Sequence, residues 1–204
     1  MTPFGPRSVY VVDDDVAVRE ATHTLLATAG YEPQAFVSGR EFLDEADLHG
    51  GGCVLLDICM PGPNGLDVQA MMVKRGSNLS VIMVTGHGDV ATAVLAMKTG
   101  ATDFLEKPYR PVALLDAVKR GLRVSAAQVT DIQDSKKRIA RLTPRENEVL
   151  HGLMAGGSNK SIARQLNVSP RTVEMHRANL MERLGARSLP EALRVAHEAG
   201  FSGA

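Results

Sequence analysis

Short apolar runs alternate with longer amphipathic segments along the first 120 residues of the chain. The short runs are rich in β-branched side chains and end at polar or turn residues, which is typical of strands buried in a sheet. We predict five strands, at residues 8–12, 32–36, 53–56, 80–84 and 102–105. We predict helices at residues 16–29, 39–46, 66–74, 89–99 and from 112 onward, where apolar positions recur at helical spacing. This alternation predicts an α/β domain with a five-stranded, doubly wound parallel sheet.

After Arg141 the pattern becomes helical throughout, with shorter segments. Thr143 and Glu146 stand at the spacing of a capping box, and Pro144 occupies the first helical position, which indicates a helix start. We predict four helices, at residues 144–156, 158–166, 171–184 and 189–199. The second and third have the size and spacing of a DNA-reading helix-turn-helix. The sequence therefore predicts a small all-α domain of four helices after the α/β domain.

The segment between the two predicted domains, residues 112–140, contains one helix breaker, Gly121. Within this segment, eight mostly apolar residues recur at alternating steps of three and four, the spacing of a heptad seam. The seam consists of Leu115, Val118, Leu122, Ser125, Val129, Ile132, Lys136 and Ile139. We predict a first domain over residues 7–125, a helical linker over 126–140 that continues its last helix, and a second domain over 141–203. Two copies could pair along the seam or through the fourth and fifth helices of the first domain. A flexible polar linker over 124–137 is the alternative to a helix, because Ser125 and Lys136 interrupt the apolar pattern.

Charge is distributed unevenly over the 204 residues, although the formal net charge is zero. Residues 1–125 carry a net charge of −4 and residues 126–204 a net charge of +4. This asymmetry favours a cation as the partner of the first part and a polyanion as the partner of the second. No apolar run approaches the ~20 residues of a membrane helix, and the N-terminus has no secretion-signal pattern. The two cysteines fit a reducing compartment, so we expect a cytoplasmic protein that does not bind membranes.

Polar side chains follow four of the predicted strands. Asp13 and Asp14 follow the first strand, Asp57 the third, Thr85 the fourth and Lys107 the fifth. Ligands of an open parallel sheet bind outside the carboxyl ends of its strands, so these side chains should converge. Carboxylates that converge would repel one another without a cation, and their hard oxygens suit Mg²⁺. Lys107 and Thr85 supply a positive charge and a hydroxyl suited to the oxygens of a phosphoryl group.

The third helix of the second domain has one apolar face and one mixed face. On a helical wheel, Val173, Leu180 and Leu184 fall on the same side, so we expect that side to pack inward. The opposite face carries Arg171, Glu174, Met175, Ala178 and Glu182. An ordinary solvated face would be richer in lysine and glutamate, so the mixture favours a recognition surface.

Four motifs of the first domain resemble those of the receiver domain of bacterial two-component response regulators. They are VVDDD at 11–15, LLDICMP at 55–61, VTGHGD at 84–89 and FLEKPY at 104–109. The resemblance covers about residues 7–125 and implies a flavodoxin-like fold. It also implies that Asp57 is the phosphoacceptor, and that Mg²⁺ is held by Asp13, Asp14, Asp57 and the backbone carbonyl of Cys59. Thr85 and Lys107 would bind the phosphoryl oxygens, and Phe104 would be the aromatic switch residue that turns inward when Thr85 moves.

Three motifs of the second domain resemble the LuxR-type helix-turn-helix, and the domain order is that of the NarL/FixJ subfamily, in particular its FixJ branch. They are TPRENEVL at 143–150, NKSIARQL at 159–166 and SPRTVEMHR at 169–177. The resemblance implies that Glu174, Met175 and Ala178 face base edges. It places Lys160, Arg171 and Thr172 nearer the phosphates of double-stranded DNA.

The combined features predict a phosphorylation-dependent transcription regulator rather than a turnover enzyme. A sensor histidine kinase would phosphorylate Asp57 in a Mg²⁺-dependent reaction, the chain would form a homodimer on DNA, and RNA polymerase is a further possible partner. One alternative is a constitutive DNA-binding protein whose first domain serves only as an interaction surface. A second is a metal-dependent phosphatase. A third, weaker one is a dinucleotide site at the G-x-G-x-x-A pattern of residues 86–91, which follows the fourth strand instead of the first.

Overall fold

The structure is a computed structural model that describes residues 8–86 and 90–201. Its strands are β1 (Ser8–Val12), β2 (Glu32–Phe36), β3 (Cys53–Asp57), β4 (Ser80–Thr85) and β5 (Asp103–Glu106). Its first five helices are α1 (Val16–Thr28), α2 (Gly39–Glu45), α3 (Gly65–Lys74), α4 (Val90–Lys98) and α5 (Pro111–Ile139). Four helices follow: α6 (Pro144–Met154), α7 (Asn159–Leu166), α8 (Pro170–Leu184) and α9 (Leu189–Glu198). Residues 87–89, within the glycine-rich pattern 86–91, lie outside the described residues.

The five strands form one parallel sheet in the order β2-β1-β3-β4-β5. Buried apolar side chains cover both faces of the sheet, because consecutive residues of a strand point to opposite sides. One face packs side chains such as Leu56, Met83 and Phe42, and the other packs Leu55, Ile82 and Leu114. The predicted α/β class with a doubly wound parallel sheet is therefore confirmed, and the carboxyl ends of β1, β3, β4 and β5 lie at one edge.

Most predicted elements are present with ends that differ by one or two residues. Ser38 caps α2, and Thr143 and Glu146 form the predicted capping box at the start of α6. Asp57 and Thr85 belong to their strands, since β3 and β4 each extend one residue further than the apolar run. The backbone ladder continues past the last apolar side chain here, because hydrogen bonds of the sheet do not depend on side-chain polarity.

Contacts divide the chain into two compact units after Val129, so α5 contributes residues to both. In the second unit, α6 to α9 enclose two apolar clusters, and Val173, Leu180 and Leu184 are fully buried as the helical wheel predicts. Ile139, near the end of α5, packs against the cluster that contains Leu180. Among the described residues, no helix is long and apolar enough to cross a bilayer.

The first half of the predicted heptad seam is covered by the chain's own sheet. Val118 is fully buried, and Leu115 and Leu122 pack against the cluster on that face of the sheet. Ser125 is also fully buried; its hydroxyl accepts a hydrogen bond from Gly52 N (2.9 Å) and donates one to Asn78 O (2.6 Å). The expectation that two copies pair along the whole seam is therefore wrong for this half, because these side chains are used inside the first unit.

Candidate functional site

Three carboxylates meet at the carboxyl edge of the sheet. Asp13 and Asp14 directly follow β1, and Asp57 is the last residue of β3, the neighbour of β1. One oxygen atom from each of the three lies within 4.8 Å of the others. Asp13 and Asp57 are buried, whereas Asp14 is exposed. The parallel pairing of two neighbouring strands therefore brings together the acidic residues that the sequence predicts at this edge.

Lys107 lies between two of these carboxylates. Its Nζ atom is 2.7 Å from Oδ2 of Asp13 and 3.0 Å from Oδ2 of Asp57. Burial raises the pKa of Asp13, and the neighbouring Lys107 reduces that effect without cancelling it. Burial alone would lower the pKa of Lys107, but its hydrogen bonds and charge interactions with the two carboxylates raise it overall. Lys107 is therefore a fixed cation inside the acidic cluster.

Thr85 lies on β4, the neighbour of β3, and Phe104 lies on β5, the edge strand beyond β4. Val84 is the register partner of Asp57, so Thr85 is one residue beyond that pair at the carboxyl edge, and it is buried. The backbone carbonyl of Thr85 accepts a hydrogen bond from the amide of Lys107 (2.7 Å). Phe104 is partly buried and packs against the apolar cluster of one sheet face. The positions of Thr85, Phe104 and Lys107 follow from the strand order.

The residues present suit a magnesium ion. Carboxylate oxygens are the ligands that Mg²⁺ prefers, and exposure of Asp14 leaves room for the water molecules that the ion retains. Asp15 does not join this set, because its carboxylate accepts hydrogen bonds from Ala17 N (2.8 Å) and Val18 N and caps α1. Cys59 is exposed, and its amide donates a hydrogen bond to Oδ1 of Asp57 (3.4 Å). Asp13, Asp14 and Asp57 are therefore the side chains that could hold the ion.

Two features of α1 next to this cluster are not evident from the sequence. A Nη1 atom of Arg19 donates hydrogen bonds to the backbone carbonyls of Asp13 (2.7 Å) and Asp14 (3.3 Å). An apolar groove of about 650 Å³ also opens beside Lys107. It is lined by Val18, Ala21, Thr22, Leu25, Lys107, Pro108, Tyr109 and Pro111. The sequence shows only that Arg19 lies one turn into α1, which does not reveal its hydrogen bonds. The groove cannot be predicted from the sequence, because it forms where α1 packs beside the segment that leads into α5.

In the second unit, the residues expected to read bases lie on the exposed side of α8. Glu174, Met175 and Ala178 are exposed, and Arg171 is exposed near the start of the same helix. Thr172 is half-buried, and its amide donates to the Ser169 hydroxyl that caps the helix (3.1 Å). Lys160 is exposed in the first turn of α7. All of these side chains except Thr172 are therefore exposed, on the two helices of the predicted helix-turn-helix.

Two side-chain hydrogen bonds join α8 to α7 and α6 in the second unit. Arg177 donates a hydrogen bond to Oδ1 of Asn159, at the start of α7 (3.2 Å). Arg183 donates one to Glu146, a buried carboxylate whose other oxygen accepts from Thr143 N (2.8 Å). Burial tends to raise the pKa of Glu146, but the hydrogen bonds from Thr143 and the charge of Arg183 lower it overall. These contacts fix α8 against α6 and α7.

A parallel sheet with an acidic edge, joined to a helix-turn-helix unit, defines a response regulator with a DNA-binding domain. Residues 9–119 match the family described as "Response regulator receiver domain", and residues 140–196 match "Bacterial regulatory proteins, luxR family". The chain belongs to the response regulators of FixJ type, which join these two domains. The resemblance found in the sequence is therefore confirmed.

Individual relatives resemble the chain over nearly its whole length. The transcriptional regulatory protein FixJ of Bradyrhizobium diazoefficiens is 43% identical over 196 residues, covering 95% of this chain and 96% of the relative. The FixJ protein of Azorhizobium caulinodans is 46% identical over 198 residues, covering 95% and 93%. Among solved structures, the response regulator StyR aligns with a TM-score of 0.62 and 37% identity, over 96% of this chain and 100% of that one. Full-length FixJ from B. japonicum aligns with a TM-score of 0.57 and 42% identity, over 98% and 100%.

Proposed function

We propose that this chain is a transcription regulator that a sensor histidine kinase switches by phosphorylating Asp57. The observation that carries the proposal is the arrangement of Asp57, which is buried, held by Lys107 and within ligand distance of two further aspartates. A carboxylate in this setting can attack phosphorus in line with the bond that breaks. The P–N bond of a phosphohistidine breaks, a P–O bond to Asp57 forms, and the electron pair of the broken bond stays on the imidazole.

The surrounding side chains suit the charge that accompanies this transfer. Bound Mg²⁺ would neutralise charge on the phosphoryl oxygens and on the carboxylates. Asp13 and Asp14 would hold the ion together with Asp57, and the backbone carbonyl of Cys59 would complete the set. Lys107, already at hydrogen-bond distance from Asp57, would donate to one phosphoryl oxygen, and the hydroxyl of Thr85 would donate to another. We propose Phe104 as the aromatic switch residue that follows the movement of Thr85.

The apolar groove beside α1 is the surface at which we propose that the kinase docks. Its lining is apolar apart from the Lys107 ammonium and two hydroxyls, and the Thr22 and Tyr109 hydroxyls are hydrogen-bonded to each other at 2.7 Å. Lys107 belongs both to the groove and to the acidic cluster, so a protein bound there would lie next to Asp57. We propose that an apolar helix surface of the kinase domain that carries the phosphohistidine occupies this groove.

The output half of the proposal is DNA binding by a homodimer. Helix α4 presents apolar side chains that are about half exposed or more: Val90, Val94, Leu95 and Met97. An exposed apolar stripe of this kind favours contact with a second copy of the same surface. Two paired chains would present two α8 helices to two half-sites of double-stranded DNA. Cytoplasmic localisation is part of this proposal, because a regulator of this kind must reach DNA. A contact with RNA polymerase stays a prediction.

Labelling with a small phosphodonor tests the proposal. In the presence of acetyl phosphate and Mg²⁺, intact-mass measurement should find one phosphoryl group per chain, and sedimentation should find a dimer. Asp57→Asn should abolish both results, while Asp116→Asn, which changes an exposed carboxylate on α5, should abolish neither. Stoichiometric labelling that persists in Asp57→Asn would contradict the assignment. Operator binding that is equally strong without phosphodonor would favour the constitutive DNA-binding alternative, and continuous release of phosphate from small esters would favour the phosphatase alternative.

A further inference from the structure

Arg19 lies beside three successive aspartates but forms no ion pair with a carboxylate among the described residues. Instead, its Nη1 atom donates to two successive backbone carbonyls, those of Asp13 (2.7 Å) and Asp14 (3.3 Å). An arginine next to free carboxylates would ordinarily bind one of them with two parallel hydrogen bonds. Arg19 therefore holds the backbone of this loop and leaves the carboxylates available to a cation.

The loop between β1 and α1 contains residues that are fixed to different degrees. Three contacts fix Asp13. Its amide donates to Phe36 O (3.2 Å), its Oδ1 accepts from Asp15 N (3.0 Å) and its Oδ2 contacts Lys107. Asp14 is exposed, and among the described residues its carboxylate has no hydrogen-bond partner. Arg19 therefore contacts the backbone to which the unpaired Asp14 side chain is attached, and so limits the positions that this side chain can reach.

We infer that Arg19 is a positioning residue for the metal-binding carboxylates, above all for Asp14. A carbonyl and a side chain are attached to neighbouring atoms of one residue, so fixing two successive carbonyls restricts where the two carboxylates can point. Groups that orient metal ligands from behind commonly change metal affinity by 10-fold to 100-fold when they are removed. The inference rests on the proposed Mg²⁺-dependent phosphorylation, and it adds a residue that does not itself bind the ion.

Charge alone predicts the opposite effect of removing Arg19, which makes the inference testable. A guanidinium this close to the acidic cluster repels a divalent cation, so its removal would strengthen Mg²⁺ binding if charge were its only contribution. The positioning role predicts weaker binding. The sign of the change in Mg²⁺ affinity therefore separates the two roles.

The experiment is a calorimetric Mg²⁺ titration of the full-length chain and its variants, without any phosphodonor. Arg19→Met, which removes both the donors and the charge, should raise the dissociation constant for Mg²⁺ about 10-fold. Arg19→Lys keeps the charge and a single donor nitrogen and should show a smaller loss. Arg75→Met is the matched control, because Arg75 also donates to a backbone carbonyl, that of Leu43, away from the acidic edge. It should change Mg²⁺ affinity by less than about twofold.

A double-mutant cycle decides whether Arg19 acts through Asp14. If it does, Arg19→Met should weaken Mg²⁺ binding much less in an Asp14→Asn chain than in the unaltered chain. A general loss of stability would instead weaken binding by the same factor in both backgrounds, and that result would overturn the inference. Unchanged or tighter Mg²⁺ binding by Arg19→Met would overturn it as well. If the unaltered chain bound no Mg²⁺, the proposed function and this inference would both fail, whereas normal binding with no effect of Arg19 would remove the inference alone.

Discussion

The ammonium nitrogen of Lys107 lies 3.0 Å from Oδ2 of Asp57, a residue 50 positions earlier in the chain. The same nitrogen is 2.7 Å from Oδ2 of Asp13, so one cation pairs with two buried carboxylates, one directly after β1 and one at the end of β3. The two buried negative charges at this edge would otherwise oppose folding, because burying unpaired charge is costly. Lys107 therefore stabilises the edge when no metal is bound, and it pairs with two of the three carboxylates that would hold Mg²⁺.

Replacing Lys107 with methionine should have opposite effects on stability and on Mg²⁺ affinity. In metal-free buffer, Lys107→Met should lower the free energy of unfolding of the first unit by about 2 kcal/mol, because two buried carboxylates lose their cation. Mg²⁺ should bind the variant about threefold more tightly or better, since a like charge has been removed. Urea unfolding with and without Mg²⁺ measures both effects. Lys98→Met, at the exposed end of α4, is the control and should change neither quantity; weaker Mg²⁺ binding by Lys107→Met would contradict this account.

The groove on α1 should matter for the kinase and not for small phosphodonors. Ala21→Glu places a charge on an exposed position in the lining of the groove. The kinase for this test is one that transfers a phosphoryl group to the unaltered chain, and the substitution should slow that transfer about 10-fold. Labelling by acetyl phosphate should stay unchanged, because the acidic cluster is intact. Ala27→Glu makes the same exchange at an exposed position of α1 outside the groove. Equal transfer rates for the two variants would exclude this surface as the docking place.

Base reading and phosphate contact should be separable on the second unit. Glu174→Ala should cost about 1–3 kcal/mol of operator affinity and relax the base preference at one position of each half-site. Lys160→Ala should weaken binding to all sequences similarly and reduce the salt dependence of the affinity by about one ion per chain. Binding measured across a library of single-base operator variants, at several salt concentrations, distinguishes the two. An unchanged preference at every position in Glu174→Ala would mean that a different face of α8 meets the bases.

The buried Glu146 should make the second unit sensitive to acid. Because the pKa of Glu146 in the folded state is below its ordinary value of 4.5, its hydrogen bonds contribute stability above that pH. The contribution is lost as the pH falls through the lowered pKa. Glu146→Gln should therefore cost about 2 kcal/mol at neutral pH and flatten the decline in stability below pH ~4.5. Hydrogen exchange of the α6 and α8 amides reports this, and Glu148→Gln, an exposed residue of the same helix, should change the exchange little.

The acidic edge could be predicted because it depends on local signals that repeat. Each apolar run marks a strand, and parallel strands place the residues that follow them at one edge, so Asp13, Asp57 and Lys107 are brought together by topology alone. The role of Arg19 could not be predicted in this way, because its partners are backbone carbonyls, which every residue of any sequence has. In the sequence, Ser125 interrupts an apolar seam, yet in the structure its hydroxyl bonds to two backbone groups of the loops at the other edge of the sheet. A polar residue at a core position can be recognised only when its partners are known.

At Gly121, as at Ser125, the effect of the residue on stability depends on tertiary contacts that the sequence does not show. In a helix interior, glycine costs about 1 kcal/mol relative to alanine, so the sequence alone suggests that Gly121→Ala would stabilise the protein. In the structure, however, a Cβ atom at this position would lie 2.5 Å from the Ser80 hydroxyl and 3.1 Å from Cβ of Cys53. The absent side chain lets α5 lie close against β3 and β4. The helix, or the strands beneath it, would have to move to admit a methyl group.

Gly121→Ala should therefore lower the free energy of unfolding of the first unit by about 1–3 kcal/mol, the usual cost of overpacking a core. Ser80→Ala removes the nearest atom, a buried hydroxyl oxygen that has no hydrogen-bond partner among the described residues, and by itself should be close to neutral. The double variant should recover a large part of the loss, so that the two exchanges are strongly non-additive in urea unfolding. Val124→Ala, at an exposed position of the same helix, controls for helix propensity and should not destabilise. A Gly121→Ala chain that is more stable than the unaltered chain would mean that α5 can shift outward at no cost.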